Sequence, residues 1–334
     1  MLFHLSLLSF FSPFLSLKKL TTMNKDLLSN VSIENLRRDL FYFCRDPFTF
    51  RTVSYTAPWH EKNSLDEIDD FIFDELKKYA EDVKKYPNKI RAFRCNSNKP
   101  LHHWYDTPKP EDPWYDANSI QVTLPGSEKP DEIIQLISHK DSMSWINSPG
   151  AHDNAVGAVA NLELVRVLSK LPHKRTIRVL FCNEEHNPWH SLKMAEMAKS
   201  AGDNIIAIMN QDSLCGKTDE AAAAGIKTMV SCYSTPQGKA LAEFVVKENE
   251  KYAIPMCVTI GDKPNVNDDD GSYIKAGYVN TINNIGSWPY ADPQYHLRGD
   301  IPERVDMFNL LYSTQLILAA ILDIDEVGSS AFLN

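Results

Sequence analysis

Five residues of the kinds that bind divalent cations are spread through the chain in the order His139, Asp153, Glu185, Asp212 and His296. Imidazole nitrogens and carboxylate oxygens are donors that zinc accepts. Two such ions about 3.5–4 Å apart can hold both the attacking and the developing oxygens of a hydrolysis. A carboxylate can bridge them, and five protein ligands leave room for water. Glu184 stands beside a ligand and is free for another task, taking a proton from the attacking water as general base. Asp141, two residues beyond His139, can orient that imidazole from behind. Singly, each residue has a plainer explanation. Asp153 could cap a helix, Glu184 and Glu185 could lie in a solvated loop, and His296 could sit on the surface. Their order and their placement at successive strand ends are what join them.

The elements that must position these groups alternate. Residues 119–124 and 132–138 read as strands joined by a turn at Pro125 and Gly126. Residues 175–182, 204–209, 228–233 and 278–283 read as further strands. Helical spacing covers 155–171, 191–201, 236–252 and 304–322. Ser32 opens an earlier helix through Leu36, Leu40 and Phe43, and Ser64 with Glu67 reads as a capping box before another. The Pro- and Trp-rich stretch 100–113 reads as loop. Such alternation predicts an α/β fold, a mixed, mainly parallel central sheet sandwiched by helices in three layers. Open sheets of this kind gather their sites at the carboxyl ends of strands. His139, Glu184 with Glu185, and Asp212 all follow predicted strands.

The chain has 334 residues, 43% hydrophobic and 24% charged, with net charge −9. That composition fits a folded globular protein and excludes disordered, collagenous and multi-span membrane classes. The acidic balance argues against a nucleic-acid partner. Six cysteines, Cys44, Cys95, Cys182, Cys215, Cys232 and Cys257, are widely spaced without a CxxC pair and are expected as free thiols. One catalytic domain is expected over 30–325, with no stable membrane span inside it. Residues 1–25 stand apart, because 2–17 are apolar and Lys18 and Lys19 follow rather than precede that run. Three readings stay open there: a start at Met23 and a cytoplasmic protein, an exported protein, or a retained anchor.

His139-Lys-Asp141-Ser142, Pro149-Gly-Ala-His-Asp153-Asn-Ala-Val-Gly157, Glu184-Glu185, Asn210-Gln-Asp212 and Tyr295-His296 together resemble the signature of a known family. It is the co-catalytic di-zinc peptidases, which include bacterial leucyl aminopeptidases, aminopeptidase Y and glutamate carboxypeptidase II. Glutaminyl cyclases share that fold with a single zinc. The resemblance spans about 118–305. It implies that Asp153 bridges two zinc ions, with His139 and Asp212 on one and Glu185 and His296 on the other. It makes Glu184 the acid/base that activates a bridging water and protonates the leaving amine. A peptide substrate and a zinc exopeptidase, an aminopeptidase first, are therefore expected. A glutaminyl-peptide cyclotransferase is the alternative reading, against which the pair His139 and Asp212 argues. A non-catalytic peptidase-like binding module is the third.

The chain departs from the family pattern at His152, Val156, Asn183 and the stretch 186–190, and Asp268, Asp269 and Asp270 replace a Ser-Asp-His motif. No ligand or base is lost. The oxyanion donor of the family, often Tyr or His, matches no residue by motif. His152, His186 and His190 are read as extra ligands, substrate contacts or loop-shaping groups. Trp145, Trp189 and Trp288 are read as pocket walls or plain packing, and the acidic triplet 268–270 as an amine-binding or a solvated loop. Arg298-Gly299-Asp300 spells an adhesion tripeptide and is read as chance.

Overall fold

Alternating apolar side chains build the middle of the molecule. In β5 (Lys129–His139) Ile134 and Leu136 join one core cluster, while Ile133 and Ile137 join a second on the opposite face. β6 (Arg175–Cys182) repeats the pattern, with Ile177, Val179 and Phe181 on one side and Leu180 and Cys182 on the other. A strand apolar on both faces must be covered twice. The computed structural model describes residues 24–286 and 292–333, so the apolar N-terminal run and Trp288 lie outside the described residues.

The remaining strands are β1 (Asp82–Ala92), β2 (Arg94–Cys95), β3 (Tyr105–Asp106), β4 (Tyr115–Leu124), β7 (His186–Asn187), β8 (Asn204–Asn210), β9 (Thr228–Tyr233), β10 (Cys257–Asp262) and β11 (Thr281–Gly286). Among the described residues, nine of them form one sheet in the order β10-β9-β11-β8-β5-β6-β4-β1-β7. Its centre is parallel, with β5 between β8 and β6. β4, β1 and β7 extend one side antiparallel. The expected mixed α/β sheet is present. β4 and β5 are joined by the predicted turn but do not pair, because β6 inserts between them.

One face is covered by α1 (Ile33–Cys44), α2 (Ser64–Lys77), α3 (Val156–Leu168), α6 (Pro236–Tyr252) and α8 (Met307–Val327). The other carries α4 (His190–Ala201) and α7 (Asp268–Lys275), whose Met194, Ala195 and Tyr273 close the second cluster. A short α5 (Asp219–Ala223) lies in a connection. α8 is long and apolar enough by composition to cross a membrane. Leu310, Leu316, Ile317, Ala320 and Ile321 are instead buried in the core, as a helix apolar all round should be. All six cysteines are free.

Three local expectations change. Asn63, not a Ser64–Glu67 box, caps α2, its side chain accepting from the Asp66 amide at 3.0 Å. The Ser64 hydroxyl is taken by the Phe50 carbonyl, and Glu67 is drawn to His60 at 2.6 Å. The strand expected at 278–283 starts three residues later at Thr281. β1 is a strand that Pro87 and the lysines Lys84, Lys85 and Lys89 conceal, and those residues are the usual guards of a sheet edge.

Two positions test this architecture. The Asp306 carboxylate caps α8, accepting from the Phe308 and Asn309 amides, and binds Lys217 and Lys227 at 2.8 and 2.6 Å. Burial raises this carboxyl, but the two lysines outweigh it and bring it down to about 2. A depressed carboxyl stabilises the fold above its unfolded value and loses that effect as pH falls through its folded value. Solvent screening leaves about 1 kcal/mol of the ionic part. Asp306→Ala is expected to lower stability by about 1–2 kcal/mol at pH 7, cap included. Denaturant melts should show the difference closing between pH 4 and 2. In α3 a Cβ on Gly157 would overlap the Gln211 carbonyl oxygen. Gly157→Ala should therefore cost about 1–3 kcal/mol by forcing α3 away from the end of β8.

Candidate active site

The parallel strands deliver their last residues to one edge. His139 ends β5, Glu184 and Glu185 follow β6, and Asp212 follows β8. Asp153 sits on a tight turn over Ala151–Ala155 that leads into α3. That turn needs Gly150, which has φ +58° and would push a Cβ into the Asp153 carbonyl. His296 arrives from the connection between β11 and α8 and also has positive φ, +58°.

These residues converge. His139 Nε2 lies 3.0 Å from Asp153 Oδ1 and 3.4 Å from Asp212 Oδ1. His296 Nε2 lies 2.9 Å from Asp153 Oδ2 and 3.2 Å from Glu185 Oε1. Two groups of donor atoms result, His139–Asp153–Asp212 and Asp153–Glu185–His296, each within 4.8 Å and sharing Asp153. All five residues are between 1 and 9% exposed. Asp153 Oδ2 and His296 Nε2 are buried and make no hydrogen bond of proper geometry, although only 2.9 Å separates them. Buried carboxylates and imidazoles that converge in this way fit a cation, and the donor set is of the kind zinc takes.

A second layer fixes the donors. The Asp141 carboxylate accepts from the Glu184 and Glu185 amides at 3.0 and 2.9 Å, from His186 Nδ1 at 2.6 Å and from His139 Nδ1 at 3.3 Å. His296 Nδ1 donates to the His102 carbonyl at 2.7 Å, which leaves Nε2 for the site. Asp300 accepts from the Asp153 amide at 3.1 Å and from the His152 ring at 3.0 Å. The Arg51 guanidinium, wholly buried, donates to the carbonyls of Lys140, Pro149, Gly150 and Phe43. It ties the His139 loop to the Asp153 loop.

Electrostatics follow from crowding. Burial raises the Asp141 and Asp153 carboxyls, but hydrogen bonds from the flanking histidines win and hold both well below the usual carboxylate range. Burial opposes protonation of His296, yet Glu185 and Asp153 lift its imidazole to about 10, and His139 is raised in the same way. Burial, then Asp212 and Asp269, push Glu184 well above its ordinary value. Its Oε2 accepts from the Asp269 amide at 3.1 Å, at the start of α7. A carboxyl raised toward neutrality suits proton transfer.

The other candidates divide. His152 is held by Asp300, His186 bridges Asp141 and Thr52, and His190 is bound to Ser119, so none joins either donor group. Asp269 and Asp270 are fully buried in α7, which corrects the solvated-loop reading of the triplet. Asp268 comes within 4.8 Å of Glu184 and Asp212 and is engaged by Lys263. Trp145 packs against Trp104 with ring centres 5.8 Å apart and planes tilted by 52°, whereas Trp189 lines a separate cleft beside α4. Within Arg298-Gly299-Asp300 the aspartate is buried behind Asp153 and is not presented as an adhesion motif.

Sequence reasoning missed Tyr105. Its ring packs edge-on against His296 with centres 5.7 Å apart. Burial, then Glu185, Glu184 and Asp153, raise its phenol to about 12, so it remains a proton donor at neutral pH. The residue lies in the stretch read as loop, where no periodicity marks it. Arg51 and Asp300 were equally silent.

Residues 119–321 match the model of peptidase family M28. Leucine aminopeptidase 1 of Leptosphaeria maculans is 24% identical over 311 residues, covering 89% of this chain and 72% of that protein. The LapA aminopeptidase of Legionella pneumophila has the same fold, with TM-score 0.68 and 16% identity over 91% of this chain and 75% of that one. A glutaminyl cyclase of Bacteroides thetaiotaomicron shares it too, with TM-score 0.64 and 15% identity over 88% and 98%. The matched segment is more than half of the chain and contains every residue of the two donor groups, so the protein belongs to peptidase family M28.

Proposed function

We propose that the protein is a zinc-dependent aminopeptidase that removes N-terminal residues from peptides. One observation supports this most: two N/O donor groups share Asp153 and stand beside Glu184, a carboxylate that belongs to neither. We assign His139 and Asp212 to one zinc and Glu185 and His296 to the other, with Asp153 common to both. Zinc there supplies the positive charge that polarises a scissile carbonyl and acidifies a water.

The chain's own groups do the rest. Glu184 takes a proton from the attacking water and returns it to the leaving amine. Asp269, through its amide, holds one Glu184 oxygen and leaves the other for the proton. Tyr105 donates to the carbonyl oxygen as negative charge grows on it. Asp141 keeps His139 and the Glu184–Glu185 backbone in register. Glu184, Asp212 and Asp268 form an acidic corner, and the nearby cation Lys263 is engaged by Asp268 and Asn284. The carboxylate oxygens of this corner can accept hydrogen bonds from a peptide ammonium. Glutaminyl cyclisation is supported by fold likeness alone. On a peptide beginning with Gln, an aminopeptidase releases glutamine, whereas a cyclase releases ammonia.

Glu184→Gln should lower kcat by about 10²–10⁴-fold and leave zinc content at two ions per chain by elemental analysis; full activity in this variant would sink the mechanism. Peptides with a free amine should be cleaved and their N-acetylated forms spared, and equal cleavage of both would remove the aminopeptidase assignment. Tyr105→Phe should lower kcat by about 10–10³-fold with KM nearly unchanged. An unchanged kcat would strike Tyr105 from the mechanism.

A further inference from the structure

Beside the first turn of α4, on the face of the sheet that carries α4 and α7, a cleft of about 610 Å³ is lined by Asn88 and His190. Among the described residues, three polar atoms of these two side chains are buried without a hydrogen-bond partner: His190 Nε2 and both amide atoms of Asn88. A buried polar atom without a partner is costly, so a ligand group that reached these atoms would relieve them. The volume lies within the range of small-molecule sites.

The cleft has a polar floor, apolar walls and the N-terminus of α4 at one end, with Lys89, Lys193, Asp116 and Glu196 around its rim. Asn88 stands opposite Ala117 in the β1–β4 register. Ser119 Oγ holds His190 Nδ1 at 2.8 Å, which fixes the ring and leaves Nε2 spare. Pro188, Trp189 and Leu192 supply the walls. The twelve-residue α4 begins there, and its N-cap Trp189 offers no side-chain acceptor to the first-turn amides. Free amides and the positive end of the helix dipole attract an anion. Lys193 adds charge at the rim, while the other rim lysine, Lys89, is engaged by Asp116 at 2.6 Å. Among the described residues the outer edge of β1 is paired only at Arg91 and Ala92, so a chain has room to reach the cleft.

We propose that this cleft binds an apolar α-carboxylate, the group carried by the C-terminal residue of a peptide or by a free apolar amino acid. The carboxylate accepts from the α4 amides and pairs with Lys193. The apolar side chain lies on Trp189 and Leu192. Asn88 and His190 Nε2 bond the polar atoms next to the carboxylate. The site is independent of the zinc assignment, since none of its residues belongs to a donor group.

Calorimetric titration of the zinc-loaded full chain with N-acetyl-L-leucine, L-leucine and N-acetyl-L-leucinamide tests it. Saturable binding of N-acetyl-L-leucine with Kd of about 1 mM or tighter is expected. The neutral amide should bind at least about 10-fold more weakly. Leu192→Trp, which fills the cleft, and Lys193→Glu, which reverses its rim, should each weaken binding about 10-fold or more with peptide hydrolysis unchanged. Both residues are exposed, so the fold should tolerate either change. Tighter binding of the acetylated form assigns a peptide C-terminus, and equal or tighter binding of L-leucine assigns the free amino acid. Absence of saturable binding, equal affinity for the amide, or binding indifferent to both variants overturns the proposal.

Discussion

A buried carboxylate between two imidazoles sets the terms for this molecule. Asp153 faces His139 on one side and His296 on the other, at 3.0 and 2.9 Å. Glu184, Glu185 and Asp212 are buried around it. Ionised carboxylates in a low-dielectric interior are costly unless positive charge meets them. Without a cation the flanking carboxylates drive both imidazoles toward protonation. A divalent ion bound at the same atoms would replace those protons and couple folding of the site to metal binding.

Holding that carboxylate requires a backbone that regular structure does not provide. The turn over Ala151–Ala155 departs from helical geometry at Asp153 and Asn154, and groups distant in sequence brace it. Asp300 accepts from its amides, Arg51 binds the carbonyls before it, and Asn154 donates to the Gln211 carbonyl at 2.6 Å. Arg51 spends its donors on backbone carbonyls, those of both loops among them. The rigid parallel strands supply direction, and the irregular connections supply distance.

This division explains what the sequence discloses. Periodicity reports burial, so β5, β6, β8 and α6 are legible, because each is buried on at least one continuous face. β1 and β10 are not, since outer strands carry lysines, proline or mixed residues that erase alternation. The donors His139, Glu185 and Asp212 are legible because each follows a legible strand. His296 carries only a two-residue motif, and nothing local ties it to Asp153. Arg51 and Asp300 lie in connections and Tyr105 in a two-residue strand, where neither period nor spacing constrains residue type. Asp300 is instructive: inside a tripeptide that suggests adhesion, it works as a buried acceptor behind the shared carboxylate.

The stretch between β1 and β4 reaches the donors from the edge of the sheet. β1 leaves the sheet edge at Ala92, and the β2–β3 hairpin then folds back over the strand ends. At Leu101–His103 it meets the last donor in a reciprocal clasp. The His102 carbonyl accepts from His296 Nδ1, and the His102 ring contacts the Tyr295 carbonyl, both at 2.7 Å. The same hairpin brings Tyr105 against His296 and anchors through Phe93 to Ser144 at 2.8 Å. One segment therefore orients a donor nitrogen and furnishes a phenol beside it. Because both tasks depend on a single clasp, a shift of the hairpin would move donor and phenol together.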